Sequence, residues 1–486
     1  MVIDCPLYKN AKSFPDSPAL IWGTRSISWQ KLNGYVLTAV KDFKGKGLQR
    51  GDYVALVEQN RIECMIVLLA LWRLGVIVCP LNPKFPPDTL VEGIGKLNVK
   101  MVISSSNFLR GSRRVQGAKI LIEDIVRFDA RQMGQEDAQV QGMDLDQAAT
   151  VILTSATTGQ PKMVVHSLGN HYYNALGSNE AIPLGNLDVW VLSLPLFHVS
   201  GLGIIFRTLL SGASMIVPQA TETVTEALMR PRATHISLVP AQLFRLLKNQ
   251  EIVKRLKNFK CILLGGSSAP GQLLEEALSE QLPVYLTYGL TEMASQVATG
   301  WLKDASQPCA KVLSWRELKV DVDGEILVKG QTLCTGYLKG NQVALPLKDG
   351  WFATGDLGRM DNYGCLIVSG RKDNMFISGG ENIQPEEIEE HLRGVQGIHD
   401  ALVVPVEDEE FGQRPVALIR LHSVPASCAD VRARNLQMLL EQTLPKFKIP
   451  VRFYRWPDDE RDSMKIDRTY FKSLIDQADP RLARIE

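Results

Sequence analysis

The chain of 486 residues is longer than one hydrophobic core sustains, so at least two domains are expected. With 45% hydrophobic and 22% charged residues it reads as an ordinary soluble globular protein, and a formal net charge of +1 supplies no electrostatic reason for a nucleic-acid partner. The eight cysteines (Cys5, Cys64, Cys79, Cys261, Cys309, Cys334, Cys365 and Cys428) include no CxxC pair, so neither a zinc knuckle nor a disulfide framework is expected, and most should be small core residues in a reducing compartment.

Met1 to Asn10 carries no basic stretch followed by an apolar one, so no secretory signal is evident. The most apolar segment, Cys64 to Leu81, is cut by Arg73 and bounded by Pro80; it reads as a buried helix and a strand, not a membrane span. A helical run at Met65 to Trp72 and β-rich runs at Val76 to Val78 and Met101 to Ser104 predict layered α/β structure in the first 150 residues. From about 150 to 300, apolar strands at Thr150 to Leu153, Val189 to Ser193, Ser214 to Val217, Cys261 to Leu264 and Val284 to Leu286 alternate with helices such as Ala241 to Lys248. Such strands are buried on both faces.

Between about 310 and 372, turn signals precede short strands: Asp323-Gly324 before Glu325 to Lys329, and Asp361 to Gly364 before Cys365 to Val368. A small β-rich subdomain is expected there. Pro385 then opens a helix in which Ile388 and Leu392 make one apolar face, and a strand at Ala401 to Val406 follows, as in a separate α+β domain.

The segment Thr154-Ser155-Ala156-Thr157-Thr158-Gly159-Gln160-Pro161-Lys162 follows an apolar strand. Its hydroxyls, backbone amides and one lysine are donors suited to polyphosphate oxygens, although a Walker A loop would need GxxxxGK followed by Ser or Thr. Alone, such a run reads as a polar surface turn. In company it resembles the phosphate loop of the acyl-adenylate-forming superfamily, because four further blocks follow in that family's order. They are Tyr288-Gly289-Leu290-Thr291-Glu292, Trp351 to Gly358 with Thr354-Gly355-Asp356, Gly370-Arg371-Lys372-Asp373, and Lys465-Ile466-Asp467-Arg468. The resemblance runs from about Leu68 to Arg468. Ala156, Met163 and Met464 depart from it, standing where the family usually has glycine.

The resemblance implies a large N-terminal domain over residues 1–372, of layered α/β subdomains plus the β-rich one, and a smaller mobile α+β C-terminal domain over 373–486 with its hinge at Asp373. It implies ATP or AMP contacts from Thr154, Ser155, Thr157, Thr158, Gly159, Lys162, Gly265, Gly266, Ser267, Tyr288, Gly289, Thr291, Asp356 and Arg371. Glu292, with Thr154, is expected to hold Mg2+, and Lys465 to reach the α-phosphate during adenylation. The implied activity is that of an acid–thiol ligase, which makes acyl-AMP from a small carboxylate and ATP and passes the acyl group to CoA. Read singly, Tyr288, Asp356 and Glu292 would be a half-buried tyrosine, a turn former and a helix-start carboxylate.

Leu194-Pro195-Leu196-Phe197-His198-Val199-Ser200-Gly201-Leu202-Gly203, Thr234 to Pro240 and Leu264-Gly265-Gly266 resemble the o-succinylbenzoate-CoA ligases of menaquinone biosynthesis. That acid has two carboxylates, of which only the succinyl one is activated. The other needs a partner, for which Arg207, on the helix expected after a Gly201-Leu202-Gly203 turn, is the candidate; its alternative is a surface arginine. His198, Ser200 and Gly201 are expected to line the acyl pocket, with a structural role for His198 as the competing reading. Another aryl- or acyl-CoA synthetase, a stand-alone adenylation domain loading a carrier protein, and a non-catalytic nucleotide-binding regulator are the alternatives. The cytoplasm is the expected location, and the sequence leaves monomer and homodimer both open.

Overall fold

A computed structural model describes residues 1–85, 87–105, 117–126, 142–154, 162–219, 222–378, 381–408, 411–421, 432–457 and 468–486. Among these described residues, two large sheets of eight and nine strands enclose a layer of helices. In the nine-stranded sheet, six neighbouring strands run parallel: Val284–Leu290, Cys261–Leu264, His235–Leu238, Val189–Val191, Ser214–Ile216 and Pro18–Trp22. The eight-stranded sheet has a parallel run of Ala148–Thr154, Ile77–Leu81, Tyr53–Val57, Met101–Ser104 and Ala118–Leu121. Short apolar strands with crossover helices fold this way because both faces of a parallel sheet must be covered.

The helices Trp29–Gly45, Ile62–Leu74, Leu168–Ala181 and Val199–Ser211 share one core with residues from both sheets, including Leu56, Val78, Trp190 and Leu263. Ile62–Leu74 is apolar nearly all round, as a helix between two sheets must be, and ends at Gly75 in the left-handed conformation. Each large side chain buried here contributes roughly 1.5–3 kcal/mol.

Residues 310–372 distribute over three sheets. Arg316–Val320, Glu325–Gly330, Phe352–Met360 and Leu366–Arg371 form a four-stranded antiparallel sheet. Lys311–Val312 instead extends the nine-stranded sheet, while Gly336–Lys339 and Gln342–Ala344 extend the eight-stranded one beside Lys162–Ser167. A hairpin laid on an open edge pairs its backbone groups.

Cys309 and Cys365 form a disulfide with Cα atoms 5.0 Å apart, a pairing that the expectation of core thiols without a disulfide framework did not include. The antiparallel bridge between Ala310 and Leu366 places the two side by side, and their separation of 56 residues shows in no local spacing. Cys5, Cys64, Cys79, Cys261 and Cys334 are buried core thiols as expected.

After residue 372, Glu381–Ile383, Phe376–Ser378, Gly412–Leu421, Ile398–Asp408 and Arg452–Arg455 make a smaller sheet. Strict alternation sends Ala401, Val403, Ala417 and Ile419 toward the helix Pro385–Arg393, and Leu402, Val404, Val416 and Leu418 toward Arg468–Asp476. Among the described residues no helix is long and apolar enough to cross a membrane.

Candidate functional site

Three of the singled-out residues converge on one carboxylate. Asp356 and Arg371 are direct cross-strand partners, and Arg371 Nη1 donates to Asp356 Oδ1 at 2.8 Å and to the Thr354 carbonyl at 3.1 Å. Tyr288 Oη donates to Asp356 Oδ2 at 2.6 Å. Tyr288 is at the end of the strand Val284–Leu290, which continues past the expected Leu286 because it stays paired with Ser295–Trp301. Burial and the neighbouring Asp356 charge push the Tyr288 phenol far up, so it stays a donor at neutral pH. The result is a fixed carboxylate beside an aromatic ring, a pairing suited to a sugar diol and a flat base.

Arg371 also reaches Asp373, 3.2 Å away on the exposed side. Its neighbour Lys372 pairs with Asp323 and Glu325, both at 2.8 Å, and Gln384 Nε2 donates to the Arg371 carbonyl at 3.1 Å. The junction between the two parts of the chain is therefore bonded from both sides.

A second group forms around Glu292, which follows Tyr288 and Gly289 in a 3-10 turn, Thr291–Met293. Tyr337 Oη donates to Glu292 Oε1 at 2.7 Å, and the Tyr337 ring lies 5.1 Å beneath Lys162 Nζ. Lys162 in turn pairs across the hairpin with Thr154, so the two ends of the hydroxyl-rich loop stand side by side. His166, two turns of the pleat further along the same strand, is fully buried with Nε2 2.7 Å from the Thr291 carbonyl. Burial holds its pKa down at about 4, so the imidazole is neutral at pH 7, and Nε2–H donates because a carbonyl can only accept.

Arg207 is 1% exposed, in contrast to the surface alternative. Its guanidinium lies 4.9 Å from the Trp190 ring centroid, and among the described residues no carboxylate pairs with it. Nε and Nη1 have no hydrogen-bond partner among those residues. Burial pulls its pKa down to about 10, which still leaves it cationic at pH 7. Gly201-Leu202-Gly203 is not a turn, as expected, but part of the helix Val199–Ser211. The two glycines mark close approaches: a Cβ on Gly201 would collide with the Pro195 carbonyl, and one on Gly203 would meet Arg207 Nη2 at 3.0 Å.

His198 is exposed at the N-cap of that helix, against Phe197, and Ser200 is half-buried in its first turn. Gly265, Gly266 and Ser267 follow the strand Cys261–Leu264; Gly265 packs on Thr287, and Gly266 takes φ +91°. Ser155, Thr157, Thr158 and Gly159, with Ala156, and Lys465, with Met464, lie outside the described residues. Sequence reasoning missed Tyr337 and His166, whose roles arise from pairing with distant strands; only the Gly336-Tyr337 step beside a β-rich run could have drawn attention to the first.

A family model described as AMP-binding enzyme matches residues 7–338, and one described as AMP-binding enzyme C-terminal domain matches residues 387–462. The 2-succinylbenzoate–CoA ligase of Salmonella typhimurium is 35% identical, over 94% of this chain and 95% of its own length. The o-succinylbenzoate CoA synthetase of Bacillus subtilis, solved in complex with the acyl-adenylate intermediate OSB-AMP, is 30% identical with a TM-score of 0.85, covering 97% of this chain and 98% of its own. The same enzyme in complex with ATP and magnesium ion is 30% identical with a TM-score of 0.84, covering 97% and 100%.

Proposed function

The chain belongs to the AMP-binding enzyme family, and on that footing we propose that it is an ATP-dependent carboxylate–CoA ligase that converts o-succinylbenzoate to o-succinylbenzoyl-CoA through an acyl-AMP. The observation that carries the choice of acid is Arg207, a buried cation without an anionic partner among the described residues. A buried unpaired charge costs several kcal/mol. A substrate with a second carboxylate, beyond the one activated, offsets that cost on binding.

In the first half-reaction a succinyl carboxylate oxygen attacks the α-phosphorus of ATP and pyrophosphate leaves. No protein nucleophile is needed, so the chain's work is placement and charge stabilisation. Asp356 accepts from the ribose hydroxyls, with Tyr288 and Arg371 holding it in place. The loop between Thr154 and Lys162 donates to the β- and γ-phosphates, and Lys465 balances charge at the α-phosphate. In the second half-reaction the CoA thiolate attacks the acyl carbon and AMP leaves, after the smaller domain has turned about Asp373.

One carboxylate, Glu292, with the Thr154 hydroxyl fits Mg2+, which takes few protein ligands and completes its shell with phosphate oxygens and water. Among the described residues no cluster of three acidic, histidine or cysteine ligands exists that would suit a resident metal instead. When bound, Mg2+ neutralises charge on the departing pyrophosphate. A cytoplasmic location follows from the dependence on ATP and CoA.

Incubating the protein with ATP, Mg2+, CoA and a panel of carboxylates, with mass detection of both products, tests the reading. Acyl-AMP and acyl-CoA from o-succinylbenzoate are expected. Turnover restricted to other acids, or transfer only to a phosphopantetheinylated carrier, would contradict it. A narrower prediction concerns Asp356→Asn. Removing one charged acceptor should cost roughly 1.5–3 kcal/mol of nucleotide binding, read as a KM for ATP raised about tenfold or more with the KM for the acid unchanged.

A further inference from the structure

The Thr291–Glu292 turn is held at three points. His166 Nε2 donates to the Thr291 carbonyl at 2.7 Å, Cys334 N donates to the Glu292 carbonyl at 2.7 Å, and Tyr337 Oη donates to Glu292 Oε1 at 2.7 Å. The first two fix the backbone. The third alone fixes the carboxylate, whose Oε2 has no hydrogen-bond partner among the described residues. Tyr337 is itself set by the strand Gly336–Lys339, where it pairs with Val164 on the strand that starts at Lys162. The ring that orients Glu292 is thus the ring over which Lys162 lies.

We infer that Tyr337 is a positioning residue for the reaction: its hydroxyl holds Glu292 in the orientation that receives the magnesium of MgATP, and its strand ties that orientation to the strand that begins at Lys162. The inference rests on the reading of Glu292 as a magnesium ligand. A free glutamate side chain must be ordered when a cation binds, whereas one already bonded through a single oxygen has lost most of that freedom beforehand. The hydroxyl is a donor, so it takes one lone pair of Oε1 and leaves the carboxylate its charge.

Tyr337→Phe removes the hydroxyl and keeps the ring under Lys162, so packing and the cation–π contact survive. Calorimetric binding of ATP, in the absence of any carboxylate so that nothing turns over, is measured across free Mg2+ concentrations for wild type, Tyr337→Phe, Glu292→Gln and the double variant. Loss of an outer partner of this kind shifts metal affinity about 10- to 100-fold, so the Mg2+ needed for half-maximal ATP binding should rise at least about tenfold in Tyr337→Phe. ATP affinity at saturating Mg2+ and the melting temperature should stay near wild type. In the Glu292→Gln background the tyrosine substitution should add little, because its effect passes through the carboxylate. A metal dependence in Tyr337→Phe equal to wild type overturns the inference, as does an equal shift with and without Glu292. Wild-type ATP binding indifferent to Mg2+ overturns it too, together with the magnesium reading, while the carboxylate panel reports separately on the ligase reading.

Discussion

Arg207→Met should fold as well as the parent protein, melt no lower, and lose o-succinylbenzoate by about 30-fold or more in kcat/KM. The two halves of that result come from one fact, that the guanidinium is buried without a carboxylate among the described residues. Methionine fills a similar volume and removes a charge whose burial costs several kcal/mol, against which the lost stacking on Trp190 is worth about 0.5–2 kcal/mol. Binding is affected in the opposite sense, since removing one partner of a buried charge pair costs about 2–5 kcal/mol, on the order of 30- to several-thousand-fold. The loss should be confined to acids with the ring carboxylate. 3-Benzoylpropionate, the same acid without it, should react with the variant at least as well as with wild type. Thermal melts and kcat/KM for both acids check this, and an equal loss for both would remove Arg207 from the acyl pocket.

Lys465→Ala should separate the two half-reactions. Withdrawing a cation from the charge that develops on the α-phosphate is expected to slow acyl-AMP formation by about 10²-fold or more. Thioester formation from supplied o-succinylbenzoyl-AMP should stay within a few-fold of wild type, because in the proposed mechanism the smaller domain turns before that step and takes the lysine with it. Lys465 lies outside the described residues, but the chain re-enters at Arg468, whose guanidinium is tied to Glu389, Glu386 and the Val403 carbonyl. Glu389 is almost fully buried, so the lysine's segment ends at a rigid anchor in the smaller domain. Pyrophosphate exchange and single-turnover thioester formation measure the two steps. A matching loss in both would place Lys465 elsewhere in the mechanism.

The parallel strands were readable because burial on both faces leaves them almost wholly apolar, and Cys261–Leu264 and Met101–Ser104 occur at the expected residues. Val284–Leu290 outran its expected end, since the apolar run stops at Leu286 while the backbone of Thr287, Tyr288 and Gly289 stays paired. Two glycines made Gly201-Leu202-Gly203 resemble a turn, whereas they serve close packing inside a helix. The burial of Arg207 was not readable, because composition favours exposed arginines and only the tertiary fold places Trp190 against it. Tyr288, Asp356 and Arg371, by contrast, were each named from motifs and meet at a single carboxylate. Tyr337 escaped notice because its partners, Glu292 and Lys162, are fixed by strand pairing and not by spacing.

Carboxylate-dependent ATP–pyrophosphate exchange, run on the wild-type protein with o-succinylbenzoate and with 3-benzoylpropionate, tests most directly whether the buried cation selects a dicarboxylate. Exchange at least about 30-fold more efficient with o-succinylbenzoate is the result expected from a charge pair worth about 2 kcal/mol or more. Equal efficiency with the two acids, or exchange with neither, would contradict it.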